Sequence, residues 1–315
     1  MISLVNKNID EAFKFHYIEV SKLFNDIITN GYINRGRPSV KKFLPKCFLR
    51  FLSNNFDTII SGEPELLINL HLEYERLGLV NEDKELVKDF MIKTGYDNFN
   101  NITFLEKMEI DTCVYCNKNY TLSISKMHAR AQLDHWFPKD KFPILALSFY
   151  NLIPSCQSCN HLKGNCELII KQIIEKNDAT KAEILLWLEN ALLEMNHPYM
   201  KSENFQFTWF FDNSLNNSKT EFRVKDKKTR ETLKFNRTKE IYNAHSNKEL
   251  RDLLDLRSKY SKNYLDILLN KTFSHLSISE EEAYRMIFGI EIIEEDYHKR
   301  PFSKFKHDII KELLK

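Results

Sequence analysis

Residues 113–164 read CVYCNKNYTLSISKMHARAQLDHWFPKDKFPILALSFYNLIPSCQSCNHLKG and contain two CxxC pairs. The first pair is Cys113 and Cys116, and the second is Cys156 and Cys159. A CxxC pair presents two sulfurs from one tight turn, so two such pairs can supply the four thiolates of a tetrahedral Zn²⁺ site. The spacing therefore predicts a structural zinc site that fixes the segment between the pairs.

The segment between and just after the cysteine pairs carries polar residues that can do chemistry. Asp134 and His135 are adjacent, Asn151 follows, and Asn160 and His161 come directly after the fourth cysteine. Carboxylate, imidazole and amide groups are what a metal-dependent phosphodiesterase needs. The alternative interpretation is a structural zinc site with incidental polar residues around it.

The combined pattern resembles the HNH endonucleases of the ββα-metal type that have a zinc-stapled core. The resemblance is carried by three phrases, CVYC, LDHWFPK and FYNLIPSCQSCNHLKGN, over residues from about 110 to 166. It implies a small ββα core, hydrolysis of phosphodiester bonds in nucleic acid, and two kinds of metal. These are a structural Zn²⁺ and a catalytic Mg²⁺ or Mn²⁺.

The resemblance also assigns roles residue by residue. Asp134 is the metal ligand, His135 the general base, Asn151 the residue that orients this base, and Asn160 the second metal ligand. This chain has an asparagine at the last position where the family pattern has histidine. An amide oxygen is a neutral hard ligand that suits Mg²⁺ or Mn²⁺, and His161 is the alternative ligand.

The chemistry explains these residue types. A neutral imidazole such as that of His135 can take a proton from water, a task worth roughly 10²–10⁴-fold in rate. A divalent ion bound by Asp134 and Asn160 can bridge a phosphate oxygen and the departing 3′-oxygen. The amide of Asn151 can fix either the ring or the backbone around the base. Lys163 is either a phosphate contact or a solvated helix lysine.

Composition favours a cytoplasmic protein. The chain has 315 residues, a formal net charge of +2 and six cysteines, of which the two CxxC pairs use four. The remaining Cys47 and Cys166 do not form a secreted disulfide pattern. Residues 1–15 show no basic segment followed by an apolar one, so the sequence predicts no signal peptide. No apolar run approaches 18 residues, so it predicts no membrane span either.

Two local stretches are basic. Residues 35–50 contain six basic and no acidic residues, and residues 219–239 contain nine basic and three acidic ones. Such stretches either contact phosphates without reading sequence or form a solvated surface. The candidate nucleic-acid contacts in the second stretch are Lys225, Lys227, Lys228 and Arg230. The acidic residues 280–296 are expected to face away from the substrate or towards a partner.

The flanks of the core are predicted to be mainly helical. Apolar residues recur with helical period from Ile9 to Ile27, and Asn30-Gly31 is a plausible stop. A capping box at Thr180 opens a helix that His197-Pro198 ends, and a second box lies at Ser279. Further helices are predicted over residues 39–53, 63–78, 83–95, 238–257 and 259–272.

A β-hairpin is predicted in the C-terminal part. Phe205, Phe207, Trp209 and Phe211 alternate with other residues, and an Asn/Ser-rich loop at 212–218 leads to a second alternating run. The alternating aromatics either pack in a core or form a platform for base stacking. The predicted fold is therefore mainly α: helical regions at 1–105 and 171–315 flank an HNH core at 106–170, with one hairpin in the C-terminal part.

The sequence does not predict an NTPase site, and a partner is implied only by a further resemblance. Gly31 and Gly36 have the spacing of a P-loop, but Arg37-Pro38 replaces its Lys-Ser/Thr pair, so the chain is not predicted to hydrolyse nucleotides. The overall plan resembles the HNH subunits that accompany ATPases in bacterial anti-phage systems such as Septu and related retron modules. This resemblance implies a separate ATPase subunit and a role in defence.

The substrate stays open at this point. DNA is favoured, but the same chemistry could act on RNA such as tRNA, because a ββα-metal site acts on the phosphodiester and not on the sugar. A non-catalytic, zinc-dependent module that binds nucleic acid or serves as a scaffold is the rival from another class.

Overall fold

The computed structural model describes residues 2–5, 7, 9–33, 41–122, 131–164, 180–259, 267, 271 and 279–314. Within these residues the fold is mainly α, and each of the three sheets has two strands. The predicted fold class is thereby confirmed. Among the described helices, none combines the length and the apolarity that crossing a bilayer requires.

The N-terminal region begins with the long helix α1, Asp10–Asn30. Its period-3.6 pattern buries one face against the core, including Val20, Phe24 and Ile27. The helix ends at Gly31, whose φ of 70° lies in the left-handed region that glycine adopts without strain. The other helices of this region are α2 (Lys46–Asn54), α3 (Phe56–Ser61), α4 (Pro64–Arg76), α5 (Asn81–Asp89) and α6 (Asn101–Met108).

The predicted helix at 39–53 was wrong at its start. Lys41–Lys42 forms the short strand β2, which pairs antiparallel with β1, Tyr32–Ile33. The helix begins only after Pro45, which has an extended backbone with ψ of 138°. The predicted helices at 63–78 and 83–95 correspond to α4 and to α5 with the π-helical turn Phe90–Gly95 that continues it. The short helices α3 and α6 were not predicted.

The ββα core follows. Strand β3, Gln132–His135, pairs antiparallel with β4, Leu152–Ser155. Asp134 lies opposite Ile153, and His135 lies opposite Leu152. Helix α7, Gln157–Gly164, starts two residues after β4. This short sheet and the helix carry the candidate site.

The C-terminal region contains the predicted capping boxes and hairpin. Both reciprocal hydrogen bonds of the box are present at Thr180, which opens helix Lys181–Glu194, and at Ser279, which opens helix Glu280–Phe288. Strands β5 (Gln206–Asp212) and β6 (Asn217–Arg223) form the hairpin. Phe207 is buried against Tyr242 and Phe305, so this aromatic packs in a core.

The helix predicted at 238–257 is broken into three parts. Helix Thr238–Asn243 is followed by the π-helical turn Ser246–Leu250 and then by helix Arg251–Lys259. Helices Lys227–Phe235 and Ser303–Leu313 were not predicted. The helix predicted at 259–272 lies mostly outside the described residues.

Two hydrophobic cores organise the described chain. The larger core joins the N-terminal helices, the ββα core and helix Lys181–Glu194, and the second gathers the hairpin and the C-terminal helices. Ring contacts cross between regions: His71 on α4 meets Phe142 at 4.9 Å between centroids, and Trp136 meets His197 at 4.6 Å. The N-terminal helices therefore pack directly on the core that carries the site. The division at 1–105, 106–170 and 171–315 stays a prediction.

Candidate active site and metal centre

The four cysteines of the two CxxC pairs lie together. The sulfurs of Cys113, Cys116, Cys156 and Cys159 are all within 4.8 Å of one another, and all four residues are buried. Tetrahedral Zn–S bonds of about 2.3 Å would place sulfurs about 3.8 Å apart, so the donor set fits Zn²⁺. Burial raises the pKa of the Cys113 thiol, and bound zinc would offset this by stabilising thiolates. The predicted grouping of the four cysteines is confirmed, and zinc binding by them stays a prediction.

The first cysteine pair is shaped by a tight turn. The Asn117 amide donates to the Cys113 carbonyl at 2.8 Å, and the Cys113 amide donates to the Asn119 carbonyl at 2.9 Å. Asn117 has a left-handed backbone with φ of 47°, which asparagine tolerates better than most residues. The Asn119 side chain reaches across to the second pair and donates to the Cys156 sulfur at 3.2 Å.

The second cysteine pair lies at the start of α7. The Asn160 amide donates to the Cys156 carbonyl at 3.1 Å, which closes the first turn of the helix. Thiolates at a helix N-terminus are stabilised by its unpaired N–H groups and dipole. The third cysteine therefore holds the backbone of Asn160 in the first turn of α7.

Asp134 is held by a residue that the sequence analysis missed. Asp134 is buried in β3, and its Oδ2 accepts a hydrogen bond from the Tyr115 hydroxyl at 2.5 Å. Tyr115 lies between the two cysteines of the first pair. Burial raises the pKa of Tyr115 well above its usual value, and the nearby Asp134 carboxylate adds to this, so the hydroxyl remains a donor. Tyr115 thus links the first cysteine pair to the candidate catalytic carboxylate.

His135 is fixed by two further contacts. Its Nε2 lies 3.0 Å from the Ala146 carbonyl oxygen. A carbonyl can only accept, so Nε2 carries the proton in the neutral ring and Nδ1 is the nitrogen that can accept one. The Tyr96 ring packs edge-on against the imidazole at 4.4 Å, and its hydroxyl donates to the Leu133 carbonyl at 3.1 Å.

Asn151 is fully buried and bonds to the backbone beside the candidate base. Its Oδ1 accepts from the Phe137 amide at 2.6 Å, and its Nδ2 donates to the carbonyls of Leu145 at 2.8 Å and Phe137 at 3.1 Å. Leu145 precedes Ala146, whose carbonyl contacts His135. Asn151 therefore ties together the loop on both sides of the imidazole, and its predicted orienting role remains a prediction.

Asn160 contacts the candidate carboxylate strand. Its Nδ2 donates to Gln132 Oε1 at 2.7 Å. Gln132 and Asp134 are two residues apart in β3, so their side chains project from the same face. The adjacent His161 is exposed. Lys163 lies on α7, but its side chain is outside the described part of the structure, so its predicted phosphate contact stays a prediction.

The predicted nucleic-acid contacts lie in the C-terminal region, away from the ββα elements in sequence. Lys225 precedes helix Lys227–Phe235, and the other three residues are on its first turn; all except the half-buried Lys228 are exposed. Within the described part of the chain, none of these four residues forms an ion pair. In the other basic stretch, Lys41 and Lys42 are in β2, and Arg35 and Arg37 lie outside the described residues.

The core consists of an antiparallel strand pair followed by a helix, with four cysteines grouped beside them. Asp134 and His135 lie at the end of its first strand. This arrangement is typical of a ββα-metal core. The family model for HNH endonuclease matches residues 113–166. The comparison thus assigns this segment a match to the HNH endonuclease family, in agreement with the resemblance seen in the sequence.

The chain is also similar to a curated bacterial protein. Septu protein PtuB of Bacillus thuringiensis is 30% identical over 93 residues, which are 27% of this chain. The match spans about a third of that relative's own length, 33%. None of the solved structures is significantly similar to the chain.

Proposed function

We propose that this chain is a metal-dependent HNH endonuclease that hydrolyses phosphodiester bonds of nucleic acid, with DNA favoured over RNA. The observation that carries the proposal is the setting of His135. Its ring is held by the Ala146 carbonyl at Nε2, and it follows Asp134 in a strand that the HNH family match includes. This arrangement leaves Nδ1 as the proton acceptor that a general base requires.

Each residue of the site has a separate task in the proposed reaction. Asp134 and Asn160 would hold a Mg²⁺ or Mn²⁺ ion through oxygen atoms, while the four cysteines hold Zn²⁺. The catalytic ion, when bound, supplies positive charge at the phosphate and the leaving oxygen. His135 accepts the proton of the attacking water at Nδ1. Asn151 keeps the surrounding loop in place so that the imidazole keeps its direction.

The first prediction tests the base. His135→Ala should keep the fold, the zinc content and the nucleic-acid affinity, but cleavage should fall by about 10²–10⁴-fold, the usual share of a general base. Purified wild type and variant are incubated with plasmid and with total RNA, in Mg²⁺, Mn²⁺ or EDTA. Asp134→Ala is the matched control, folded and zinc-loaded but inactive.

The outcomes separate the candidate functions. Cleavage at the wild-type rate by His135→Ala would overturn the assignment of the base and move the test to His161. Cleavage of RNA alone would establish RNA as the substrate. Binding of nucleic acid without cleavage in any metal would support the non-catalytic, zinc-dependent binding or scaffold module instead.

The proposal extends to a role in bacterial defence together with a separate ATPase subunit, in the cytoplasm. It is supported by the similarity of part of the chain to a Septu protein. The same cleavage assay with and without a candidate ATPase tests the partner. Activity that depends on adding the ATPase and its nucleotide would support this extension, and full activity of the chain alone would contradict a need for it.

A further inference from the structure

The two polar atoms of the Asn160 carboxamide differ in their hydrogen bonding. Its Nδ2 donates to Gln132 Oε1 at 2.7 Å. Within the part of the chain that the structure describes, no hydrogen bond ends on Asn160 Oδ1. Both side chains are half-buried, so the bond lies at the margin of the core where solvent and substrate can reach.

The hydrogen bond at Nδ2 matters because the two ends of a carboxamide differ in their chemistry. Its oxygen can coordinate a cation, whereas its NH₂ group only donates hydrogen bonds and would turn positive charge towards the ion. A rotation of 180° about the last side-chain bond exchanges the two ends. A hard cation therefore binds such a ligand well only if something holds the NH₂ end away from it.

Gln132 is placed to do this. It lies on β3 opposite Ser155, the residue just before Cys156, so its backbone is fixed next to the start of α7. Its side chain shares a face of the strand with Asp134, two residues further on. Gln132 Oε1 thus holds Asn160 Nδ2 towards Gln132 on this face, and Asn160 Oδ1 is directed away from Gln132.

We propose that Gln132 is a positioning residue that presents Asn160 Oδ1 to the catalytic cation. This inference rests on the proposed function, since it takes Asn160 as a ligand. It explains how an asparagine can serve at a position where the family pattern has histidine. A purely structural role, docking α7 on β3, would instead make the bond matter for folding and zinc retention.

The test compares two substitutions at Gln132. Gln132→Met keeps the side-chain length and removes the acceptor, whereas Gln132→Glu keeps an acceptor and cannot donate when ionised. Mn²⁺ affinity is measured by titration of the zinc-loaded, full-length protein, together with the Mn²⁺ dependence of cleavage. Gln206→Met is the control, because Gln206 is exposed on β5.

Gln132→Met should weaken Mn²⁺ binding about tenfold, the lower end of the effect of removing partners of metal ligands, and saturating Mn²⁺ should restore most of the cleavage rate. Gln132→Glu should bind Mn²⁺ at least as tightly as the wild type. Zinc content and thermal unfolding should be unchanged in both variants and in the control.

The same substitution in an Asn160→Asp background tests whether the effect on Mn²⁺ affinity depends on the orientation of the amide. Asn160→Asp has two equivalent oxygens, so no flip can turn a donor towards the ion. In this background Gln132→Met should change Mn²⁺ affinity by less than about threefold, well below the tenfold expected with asparagine. An equal loss in both backgrounds would overturn the positioning role.

The failures are distinguishable. If the wild type binds Mn²⁺ and cleaves, but Gln132→Met has wild-type Mn²⁺ affinity, the inference about Gln132 falls and the proposed function stands. If Gln132→Met instead loses zinc and unfolds while Gln132→Glu does not, the bond is structural. If the wild type binds no Mn²⁺ in addition to zinc, the proposed metal site falls and this inference falls with it.

Discussion

Tyr115 connects the cysteine cluster to the candidate metal ligand Asp134 through a single hydroxyl group. It is buried between Cys113 and Cys116, and its hydroxyl donates to Asp134 Oδ2. Closing the cysteine cluster therefore also fixes the carboxylate that is the candidate ligand of the catalytic ion. Partners of this kind orient metal ligands and tune their affinity for the ion. The cluster thus does more than fold the chain, because it sets the direction of Asp134.

The second prediction follows from this contact. Tyr115→Phe should keep the zinc cluster and the fold but lower cleavage or Mn²⁺ affinity by about 10–100-fold, since Asp134 Oδ2 loses its donor. Zinc content, thermal unfolding and the Mn²⁺ dependence of cleavage are measured on one preparation. Tyr120→Phe, an exposed tyrosine near the same turn, is the matched control. Wild-type activity and Mn²⁺ affinity in Tyr115→Phe would show that this hydrogen bond is dispensable.

The sequence predicted the candidate residues that belong to spaced motifs and missed those that reach the site by tertiary contact. The cysteine cluster follows from CxxC spacing, so it could be predicted before any fold was known. Tyr96 packs on His135 from far along the chain, and Ala146 contributes a backbone carbonyl that any residue could supply. Nothing local in the sequence marks such residues. Tyr115 had a weak signal, an aromatic side chain inside a CxxC pair.

At the scale of elements, the two cysteine turns stabilise the ββα core jointly. The first turn is bonded to β4 because the Val114 amide donates to the Pro154 carbonyl at 3.2 Å. The second turn connects β4 to α7. The strands of this core have only four residues each, and an isolated two-stranded sheet is marginal in water. We therefore expect a metal ion at the four cysteines to supply much of the local stability.

The third prediction concerns removal of this metal. Cys156→Ser should give misfolded or zinc-free protein, because structural zinc contributes on the order of 10 kcal/mol to local folding. Cys47→Ser, at an exposed cysteine outside the cluster, is the matched control and should retain one zinc per chain. Metal analysis and circular dichroism are the measurements. Active wild-type protein without zinc would contradict the structural role of the cluster.

Helix boundaries could be predicted where a local motif defines them and could not where a tertiary contact does. The capping boxes at Thr180 and Ser279 predicted helix starts correctly, because two reciprocal hydrogen bonds define each start locally. The helix at 238–257 was predicted as continuous because apolar periodicity tolerates a π-helical turn. The turn Ser246–Leu250 packs against β6. At the end of the preceding helix, the Asn243 side chain accepts from the Thr220 amide at 2.8 Å. Such a tertiary contact has no local sequence signature.

At the scale of the whole molecule, the C-terminal region is hydrogen-bonded to the turn that carries Cys113 and Cys116. The Asn117 side chain donates to the carbonyls of Tyr297 at 2.8 Å and Arg300 at 3.2 Å, and the Thr112 hydroxyl donates to the His298 carbonyl at 2.9 Å. The Tyr242 hydroxyl donates to the Cys116 carbonyl at 2.7 Å. The described C-terminal region is therefore bonded to the first cysteine turn from two sides.

This attachment gives the basic residues of the C-terminal region a fixed position relative to the ββα core. Lys225, Lys227, Lys228 and Arg230 lie at the start of helix Lys227–Phe235, and Leu233 of that helix is buried in the same core as Tyr242. A rigid connection from this helix through Tyr242 to Cys116 is what a phosphate-binding surface needs if it is to position a nucleic acid for cleavage.

The last prediction tests this surface. The variant replaces four residues with glutamine: Lys225, Lys227, Lys228 and Arg230. It should bind nucleic acid more weakly, with little dependence on the base sequence, because phosphate contacts position the ligand without reading bases. The slope of log affinity against log salt should flatten by up to about 0.9 per lost contact with duplex DNA. Binding is measured over a series of salt concentrations, and cleavage is measured at one of them.

The control variant makes the same change in net charge elsewhere. It replaces four basic residues that pair with acidic neighbours, namely Lys14, Lys22, Arg251 and Arg285. Because long-range attraction depends on total charge while counterion release depends on local contacts, only the first variant should lose salt slope. Equal salt slopes and equal cleavage in the two variants would show that the stretch around helix Lys227–Phe235 is a solvated surface, and the test would then move to residues 35–50 and to Lys163.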